Sequence, residues 1–208
     1  MKKGLFIVVD SGEGAGKTTQ LNRAKEFFGD SLVLTREPGG SPYAEEIRQL
    51  ILNSPNAGQA DAKTLFALFW ASRADHLKNT ILPAIMAGKT VITDRFDSST
   101  FAYQIVAQGS RELESLFWQI RDAFLGDQKP DLYIYFDIDP VIGLARKNNQ
   151  GGEELNHFEA RQIDFHQRQR AGSKEFMTHV PHAEIDASQP IDKVWKDFKN
   201  ILEKYFKK

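Results

Sequence analysis

The most constraining feature of the sequence is a glycine-rich segment, residues 10–19, which reads Asp-Ser-Gly-Glu-Gly-Ala-Gly-Lys-Thr-Thr. It follows a short apolar run at residues 5–9. A helical pattern covers residues 17–28, so it begins inside the glycine-rich segment. A strand, a glycine loop and Gly-Lys-Thr at the start of a helix are together typical of a phosphate-binding loop. The segment therefore predicts a strand–loop–helix unit that binds nucleotide phosphates, and the alternative is a glycine-rich turn that only joins a strand to a helix.

Each part of this loop has its own predicted role. Glycines allow backbone amides to turn toward phosphate oxygens, and the helix N-terminus adds partial positive charge. Lys17 is expected to reach the β- and γ-phosphates, and Thr18 to bind Mg²⁺ through its hydroxyl. Ser11 occupies the first glycine position of the pattern, and because serine resists a positive φ we expect a small local adjustment there. The residues predicted to contact ATP are Gly12, Glu13, Gly14, Ala15, Gly16, Lys17, Thr18 and Thr19.

Composition limits the other possibilities. The chain has 208 residues, 27 basic and 28 acidic side chains, a formal net charge of −1 and no cysteine. This length suits one domain, residues 1–208. The charge balance disfavours dedicated binding to nucleic acid or to a membrane surface, and the lack of cysteine excludes disulfides. The apolar run at residues 5–9 is too short for a membrane span, so we expect a cytoplasmic protein.

Short β-rich runs alternate with longer helical patterns along the chain. The predicted strands cover residues 5–9, 32–35, 90–93, 132–136 and 184–185. The predicted helices cover residues 17–28, 43–52, 62–86, 100–107, 111–125, 140–147, 158–177 and an apolar stripe from 191 to 206. This alternation predicts an α/β fold of three layers, a P-loop NTPase fold with a five-stranded parallel sheet and helices on both faces.

Charged residues follow the second and third predicted strands. Residues 35–40 read Thr-Arg-Glu-Pro-Gly-Gly, and Asp94 and Arg95 follow the third strand. Ligands of parallel sheets bind beyond the carboxyl ends of the strands. Arginine suits phosphate because its planar fork donates two parallel hydrogen bonds, and Asp94 is placed as a metal-binding aspartate is in P-loop enzymes. Taken alone, Asp94 and Arg95 could equally form a surface ion pair.

These segments together resemble a bacterial-type thymidylate kinase over nearly the whole chain. The resemblance rests on residues 10–19, 35–40, 46–48 (Glu-Ile-Arg), 69–76 (Phe-Trp-Ala-Ser-Arg-Ala-Asp-His), 94–96 with 102–104 (Ala-Tyr-Gln), and 130–132 (Pro-Asp-Leu). It implies an Mg²⁺-dependent enzyme that transfers the γ-phosphoryl of ATP to dTMP and gives dTDP. It also implies that the chain forms a homodimer through its helices, with ATP and dTMP as its ligands.

The resemblance also implies roles for individual residues. Arg95 and Arg48 would hold the acceptor phosphate, Phe69 would stack on the pyrimidine, and Arg73 would reach a base oxygen. Phe69 and Arg73 share one helix face by their spacing, although an aromatic at position 69 could instead be a core residue. The implied acceptor-binding residues are Asp10, Glu37, Arg48, Phe69, Arg73, Arg95, Ser99, Tyr103 and Gln104. The implied catalytic residues are Lys17, Arg95, Arg146 and Asp10, and the implied metal ligands are Thr18 and Asp94.

The sequence departs from the family pattern in the lid, at about residues 147–158. Relatives carry several arginines there, whereas this chain has asparagine, glutamine and glycine, with Asn156-His157 in place of Asp-Arg. We expect Arg146, with Lys147 or Arg161 as further candidates, to supply the lid cation. Gly151-Gly152 could form a hinge or only a turn.

A second departure lies near the expected acceptor site. Asp97 stands where threonine is common, and residues 105–109 read Ile-Val-Ala-Gln-Gly in place of a glycine-rich stretch with an arginine. Both are expected close to the acceptor, so the acceptor could be another pyrimidine deoxynucleotide such as dUMP or a modified form. A third possibility, motivated by Ser11 and the altered lid, is a nucleotide-binding protein with little turnover.

Overall fold

The structure is a computed structural model that describes residues 3–150 and 156–206, with residues 149 and 150 described by their backbone alone. Its centre is a five-stranded sheet with the order β2-β3-β1-β4-β5, and each neighbouring pair is parallel. The strands are β1 Phe6–Ser11, β2 Leu32–Arg36, β3 Thr90–Asp94, β4 Leu132–Asp137 and β5 His182–Asp186. The five-stranded parallel sheet predicted from the sequence is confirmed.

Helices connect and cover these strands. They are α1 Lys17–Phe28, α2 Pro42–Leu52, α3 Ala62–His76, α4 Leu82–Met86, α5 Asp97–Thr100, α6 Glu114–Leu125, α7 Pro140–Gln150, α8 Ile163–Met177 and α9 Ile191–Phe206. π-Helical turns at Leu77–Ile81 and Phe101–Ala107 join α3 to α4 and extend α5. The helix predicted from residue 158 begins instead at Ile163, because the side chain of Asn156 accepts hydrogen bonds from the amides of Phe158 and Glu159 and forms a turn there.

The two faces of the sheet bury different side chains of the same strand. Phe6 and Val8 of β1 pack into one apolar cluster with helices α3, α4, α6 and α8 and the two π-helical turns, whereas Ile7 and Val9 pack into another with α1 and α9. Strands buried on both faces read as continuous apolar runs, which is why residues 5–9 predicted a central strand. The predicted three-layer architecture is therefore confirmed.

The topology brings all the carboxyl ends of the strands to one edge of the sheet. β1 lies between β3 and β4, so the loops after β1 and β3 are neighbours. The turn after β2 lies beside β3, and the amide of Glu37 donates to the carbonyl of Asp94 at 2.9 Å. Within the described part of the chain, no helix is both long and apolar enough to cross a lipid bilayer.

Candidate active site

In the loop between β1 and α1, only glycines have a positive φ. Gly14 and Gly16 have φ values of 69° and 74°, in the left-handed region that glycine tolerates best. Ser11 remains the last residue of β1 and donates from its hydroxyl to the carbonyl of Gly12 at 2.8 Å. The adjustment expected at Ser11 is therefore unnecessary, because the positive φ values fall on glycines further along the loop.

Helix α7 touches this loop backbone to backbone. A Cβ added at Gly14 would lie 1.9 Å from the carbonyl oxygen of Gly143, and one added at Gly143 would lie 2.1 Å from the carbonyl oxygen of Glu13. Only glycine permits this approach at either position. Sequence reasoning did not identify Gly143, because a single glycine within a helical pattern gives no sign of its distant neighbour.

Lys17 and Asp94 connect the loop to β3. The Lys17 ammonium forms an ion pair with the Asp94 carboxylate, while Thr18 and Thr19 are exposed at the start of α1. The described residues contain no group of three or more His, Cys, Asp or Glu side chains placed to hold a metal ion. A nucleotide-bound Mg²⁺ needs only one or two protein oxygens beside phosphate oxygens and water, so Thr18 and Asp94 are a suitable donor set.

Arg95 is the one described non-glycine residue with a positive φ, 68°. Its guanidinium donates to Asp10 and to Ser99 at 3.1 and 3.3 Å, and its other terminal nitrogen donates to Glu13 at 3.1 Å. Asp10 is fully buried and also accepts from Ser98 and Ser99 at 2.5 and 2.9 Å. Such strained backbone is tolerated where surrounding contacts fix it and is concentrated at functional sites.

Glu13 carries a strongly stabilised negative charge. Burial alone would raise its pKa, but the neighbouring cations Arg95 and Lys147 outweigh that effect and lower the pKa to about 2. The Tyr103 hydroxyl donates to the same carboxylate at 3.3 Å. Burial raises the pKa of Tyr103 well above its usual range, so this residue is a neutral hydrogen-bond donor.

One cleft of about 190 Å³ joins the phosphate loop to the predicted acceptor residues. Its walls combine Lys17 and Asp94 with most of the residues that the resemblance implies for binding the acceptor. The predicted residues that line it are Glu13, Lys17, Glu37, Arg48, Phe69, Arg73, Asp94, Arg95, Ser99 and Tyr103. The remaining wall residues, to which the sequence analysis gave no individual role, are Arg36, Pro38, Leu52, Phe96, Asn156, Phe158 and Glu159. Arg36, Pro38 and Phe96 belong to the segments that carry the resemblance, and Asn156 and Phe158 to the predicted lid.

Arg73 is held rigidly at the cleft wall. It is 1% exposed, and it donates to Glu37 at 2.9 Å and to the carbonyl of Phe96 at 2.9 Å. Glu37 is fixed in turn by His76, whose Nδ1 lies 3.0 Å from the carboxylate. The Nη1 of Arg73 is buried and has no hydrogen-bond partner among the described residues, so this side chain retains a free donor.

Arg48 and Phe69, two further predicted acceptor contacts, have different surroundings. Arg48 donates to the carbonyl of Pro38 at 2.7 Å, and burial together with nearby Arg36 lowers its pKa. Phe69 is half-buried and packs near Phe158, with ring centroids 6.3 Å apart. Phe69 therefore lines the cleft and is not enclosed in the core.

Among the predicted site residues outside the phosphate loop, Gln104, Arg146 and Asp10 do not line the cleft. Gln104 is fully buried and its amide nitrogen donates to Gln108 at 3.2 Å. Arg146 donates to the carbonyls of Ala187 and Ser188, both at 2.7 Å, beyond the end of β5. Asp10 lies behind the wall, where it contacts the wall residues Arg95 and Ser99.

The expectation that Asp97 lies beside the acceptor is wrong. Its carboxylate is fully buried, where it accepts from Arg121 at 2.6 Å and from the Tyr133 hydroxyl at 2.6 Å. The neighbouring stretch 105–108 also lies away from the cleft wall, with Ile105 in the core. Asp97 and residues 105–108 therefore do not contribute to the cleft wall.

The last residues of the predicted lid contribute a part of the cleft wall that the sequence did not predict. Phe158 packs against Tyr103 with ring centroids 5.7 Å apart, and His157 lies 3.0 Å from the carbonyl of Ile51. The turn formed by Asn156 was the available signal, since asparagine often caps such turns. Residues 151–155 of the predicted lid, including the candidate hinge Gly151-Gly152, lie outside the described residues.

The fold and the loop together define the class of the protein. A parallel sheet of this order, with a glycine loop running from its central strand into Gly-Lys-Thr at a helix start, is a P-loop NTPase fold. The cleft beside the loop has cationic side chains on both the loop side and the opposite side.

The comparison with known proteins then identifies the family: the chain belongs to the thymidylate kinase family, whose profile matches residues 9–198. It is 38% identical over 208 residues to the thymidylate kinase of Clostridium novyi, with 98% of this chain and 100% of the relative covered. It is 39% identical to that of Anoxybacillus flavithermus, covering 98% and 99% of the two chains, and 40% identical to that of Haemophilus ducreyi, covering 98% and 95%.

Proposed function

We propose that this chain transfers the γ-phosphoryl of ATP to dTMP and gives dTDP. The observation that carries this proposal is the single cleft in which Lys17 of the phosphate loop lies with Arg48, Phe69, Arg73 and Arg95. The thymidylate kinase names of relatives that match nearly the full length of the chain support the same reaction.

ATP would lie with its phosphates on the loop. The amides from Gly12 to Thr19 and the α1 N-terminus would bind the phosphate oxygens, and Lys17 would move from Asp94 to the β- and γ-phosphates. The hydroxyl of Thr18 and the carboxylate of Asp94 would hold Mg²⁺, which when bound supplies positive charge between the phosphates. These residues therefore place the γ-phosphoryl at the mouth of the acceptor half.

The acceptor would lie opposite, with its phosphate on Arg95 and Arg48 and its base against Phe69. Arg73 lines the cleft, and its buried Nη1 has no hydrogen-bond partner among the described residues, so a base that presents an oxygen to this side chain, as thymine and uracil do, would supply the acceptor. Tyr103, which contacts Glu13, would pack against the sugar. The aromatic wall of Phe69, Phe158 and Tyr103 would exclude water from the base.

The transfer requires little acid–base chemistry from the protein. An acceptor phosphate has a second pKa of about 6, so its attacking oxygen is already an anion at neutral pH. That oxygen forms a bond to the γ-phosphorus while the bond from this phosphorus to the bridging oxygen of ADP breaks, and the products are ADP and dTDP. The residues of the cleft align the two phosphates and neutralise their charge.

The alternatives do not gain support from the cleft. The proposal of another pyrimidine acceptor rested on Asp97 and residues 105–109, and residues 97 and 105–108 lie away from the cleft wall. The proposal of a protein with little turnover rested partly on Ser11, which needs no left-handed backbone. Phosphorylation of dTMP is therefore the function that the site supports best.

A coupled assay of ADP formation with ATP, Mg²⁺ and one monophosphate at a time tests this proposal. We expect kcat/KM for dTMP to exceed that for dCMP, dAMP and dGMP by at least about a hundredfold, because a site built to donate to a base oxygen rejects an amine there. A Lys17→Met variant, which retains the loop but loses the ammonium, should be nearly inactive with dTMP. Equal or better use of another monophosphate would refute the assignment.

We also infer that the protein is a cytoplasmic homodimer. Apolar side chains are exposed on the helices that would pair, with Met86 76%, Leu116 44% and Phe124 46% exposed. Light scattering on the purified chain would test the oligomeric state, and a mass of one chain would refute the dimer.

A further inference from the structure

One wall at the end of the cleft beside Phe69, where the base of the acceptor would lie, belongs to a turn. Residues 157–160 form this turn, and Phe158 lines the cleft. The Phe158 ring is 7% exposed, and its centroid lies 5.7 Å from that of Tyr103 and 6.3 Å from that of Phe69. The width of the cleft at the base therefore depends on what holds the turn in place.

The other two aromatic residues of this wall have firmer supports. Phe69 is part of α3, and Tyr103 is part of the π-helical turn that extends α5. The turn that carries Phe158 has a backbone hydrogen bond from the amide of Ala160 to the carbonyl of Asn156, 3.0 Å long, which connects this segment only to itself. The position of Phe158 is therefore set by side-chain contacts between the turn and the rest of the chain.

His157 holds the turn against the end of α2. Its Nε2 donates to the carbonyl of Ile51 at 3.0 Å. Ile51 is the second-last residue of α2, and carbonyls at the end of a helix lack partners within the helix, so a side-chain donor satisfies one of them here. The Nδ1 of His157 is buried and has no hydrogen-bond partner among the described residues. The ring is therefore anchored to α2 through Nε2.

The same contact connects the turn to a helix that also lines the cleft. Arg48 and Leu52 of α2 are four residues apart, which places them on one helix face, and both line the cleft. The His157 ring lies against the ring of Phe158, with centroids 4.1 Å apart. Phe158 and Ile51 also belong to one buried apolar cluster. His157 thus fixes Phe158 relative to α2.

We propose that His157 is a positioning residue that fixes the width of the cleft at the base and thereby favours a pyrimidine over a purine acceptor. This inference rests on the proposed function, in which the base lies against Phe69. His157 does not itself line the cleft, so it acts on the acceptor through Phe158. A purine carries a second ring and enters only if the aromatic wall moves outward, and the hydrogen bond to Ile51 opposes that movement.

Steady-state kinetics of His157→Phe test the proposal, with dTMP as the acceptor and dGMP as a competitor. This variant keeps an aromatic ring beside Phe158 but cannot donate to Ile51. We expect the KM for dTMP to rise about tenfold, while kcat and the KM for ATP stay within about threefold. The inhibition constant of dGMP should not rise, so its ratio to the KM for dTMP should fall about tenfold. A fall of less than about threefold in this ratio would overturn the proposal.

Two further variants serve as controls. His157→Gln places an amide donor near the position of Nε2 and should keep the ratio within about threefold of the unmodified chain. A glutamine variant as impaired as His157→Phe would show that the hydrogen bond is not what fixes the wall. His182→Phe is the matched control, because that ring also lies 3.1 Å from a backbone carbonyl, that of Val180, but at the start of β5. It should match the unmodified chain.

A double-mutant cycle with Phe158→Ala separates positioning from general damage. If His157 acts through Phe158, then His157→Phe should change the same ratio by less than about twofold in a chain that already carries Phe158→Ala. Additive effects, or a fall in kcat in place of the rise in KM, would overturn the role of His157 while leaving the proposed function intact. Absence of dTMP phosphorylation by the unmodified chain would instead refute the proposed function.

Discussion

Glu13 is the residue at which the two halves of the cleft meet. Its side chain is 15% exposed and contacts Arg95, Lys147 and Tyr103. An acid in a buried place is stabilised only if cations compensate the loss of hydration. The three contacts make Glu13 both a connector of the site and a contributor to the stability of the chain.

We predict that Glu13→Gln lowers the free energy of unfolding at neutral pH by about 1–3 kcal/mol. The folded pKa of about 2 lies below the ordinary value of 4.5, so the stabilisation is full above pH 4.5 and is lost as the pH falls toward 2. Urea unfolding of both proteins between pH 7 and pH 2 measures the difference. Glu112→Gln is the control, since its carboxylate is 58% exposed and its pair with Lys63 spans 3.6 Å. A difference that does not change with pH would contradict the prediction.

At the level of single residues, the sequence predicted the members of the site better than their partners. Lys17, Arg95, Arg48 and Phe69 follow recognisable patterns, and all four line the cleft. Which carboxylate each cation would contact depends on how distant segments pack. The ion pair between Lys147 and Glu13, 134 positions apart, is an example that no local pattern contains.

At the scale of elements, the backbone of helix α7 lies directly against the phosphate loop. Its backbone at Gly143 lies against Glu13 and Gly14, and its next turn carries Lys147. The contact between Gly143 of α7 and the phosphate loop therefore sets the position of both the loop and Lys147.

We predict that Gly143→Ala weakens ATP binding by at least about tenfold, because the added methyl would meet the carbonyl oxygen of Glu13 at 2.1 Å and must displace α7 or the loop. Binding of dTMP should change much less. Calorimetric titration with each ligand measures both effects. Gly58→Ala is a matched control, since the nearest atom to its added methyl is the Cβ of His157 at 3.8 Å. Equal ATP affinity in the two variants would refute the prediction.

The strands and helices were largely predictable, because strands that are buried on both faces appear in the sequence as continuous apolar runs. The predicted strand at residues 132–136 is observed as Leu132–Asp137, and the apolar stripe of α9 buries Val194, Phe198 and Leu202 as expected. The π-helical turns were not predictable, since they alter hydrogen bonding without changing which side chains are apolar. The late start of α8 depends on one asparagine side chain that accepts from two backbone amides.

For the whole molecule, a buried polar cluster links the sheet to the helices beneath the acceptor half. Asp97 of α5, Arg121 of α6 and Tyr133 of β4 contact one another, and each is buried. Burial is compensated by the charge of Asp97, which raises the pKa of Arg121 above its usual range. The cluster fixes α5, and Ser98 and Ser99 of the same helix donate hydrogen bonds to Asp10.

We predict that Asp97→Ala destabilises the chain by about 3–5 kcal/mol, because it leaves the Arg121 charge buried without a partner. Urea unfolding at neutral pH measures this loss. Asp197→Ala removes half of a surface pair with Lys193 and should cost less than about 1 kcal/mol. Similar values for the two variants would show that the buried cluster is not a main source of stability.

At Arg95 the ion pairs of the side chain outweigh the cost of its left-handed backbone. A left-handed conformation costs a residue with a side chain about 1–2 kcal/mol, and glycine would avoid most of that cost. Glycine would also remove the guanidinium that pairs with the buried carboxylate of Asp10 and with that of Glu13, and breaking a buried ion pair costs about 3–5 kcal/mol, which is more than the backbone would gain. Selection of this chain for heat tolerance would therefore keep arginine here, and the left-handed backbone would persist in the sturdier protein.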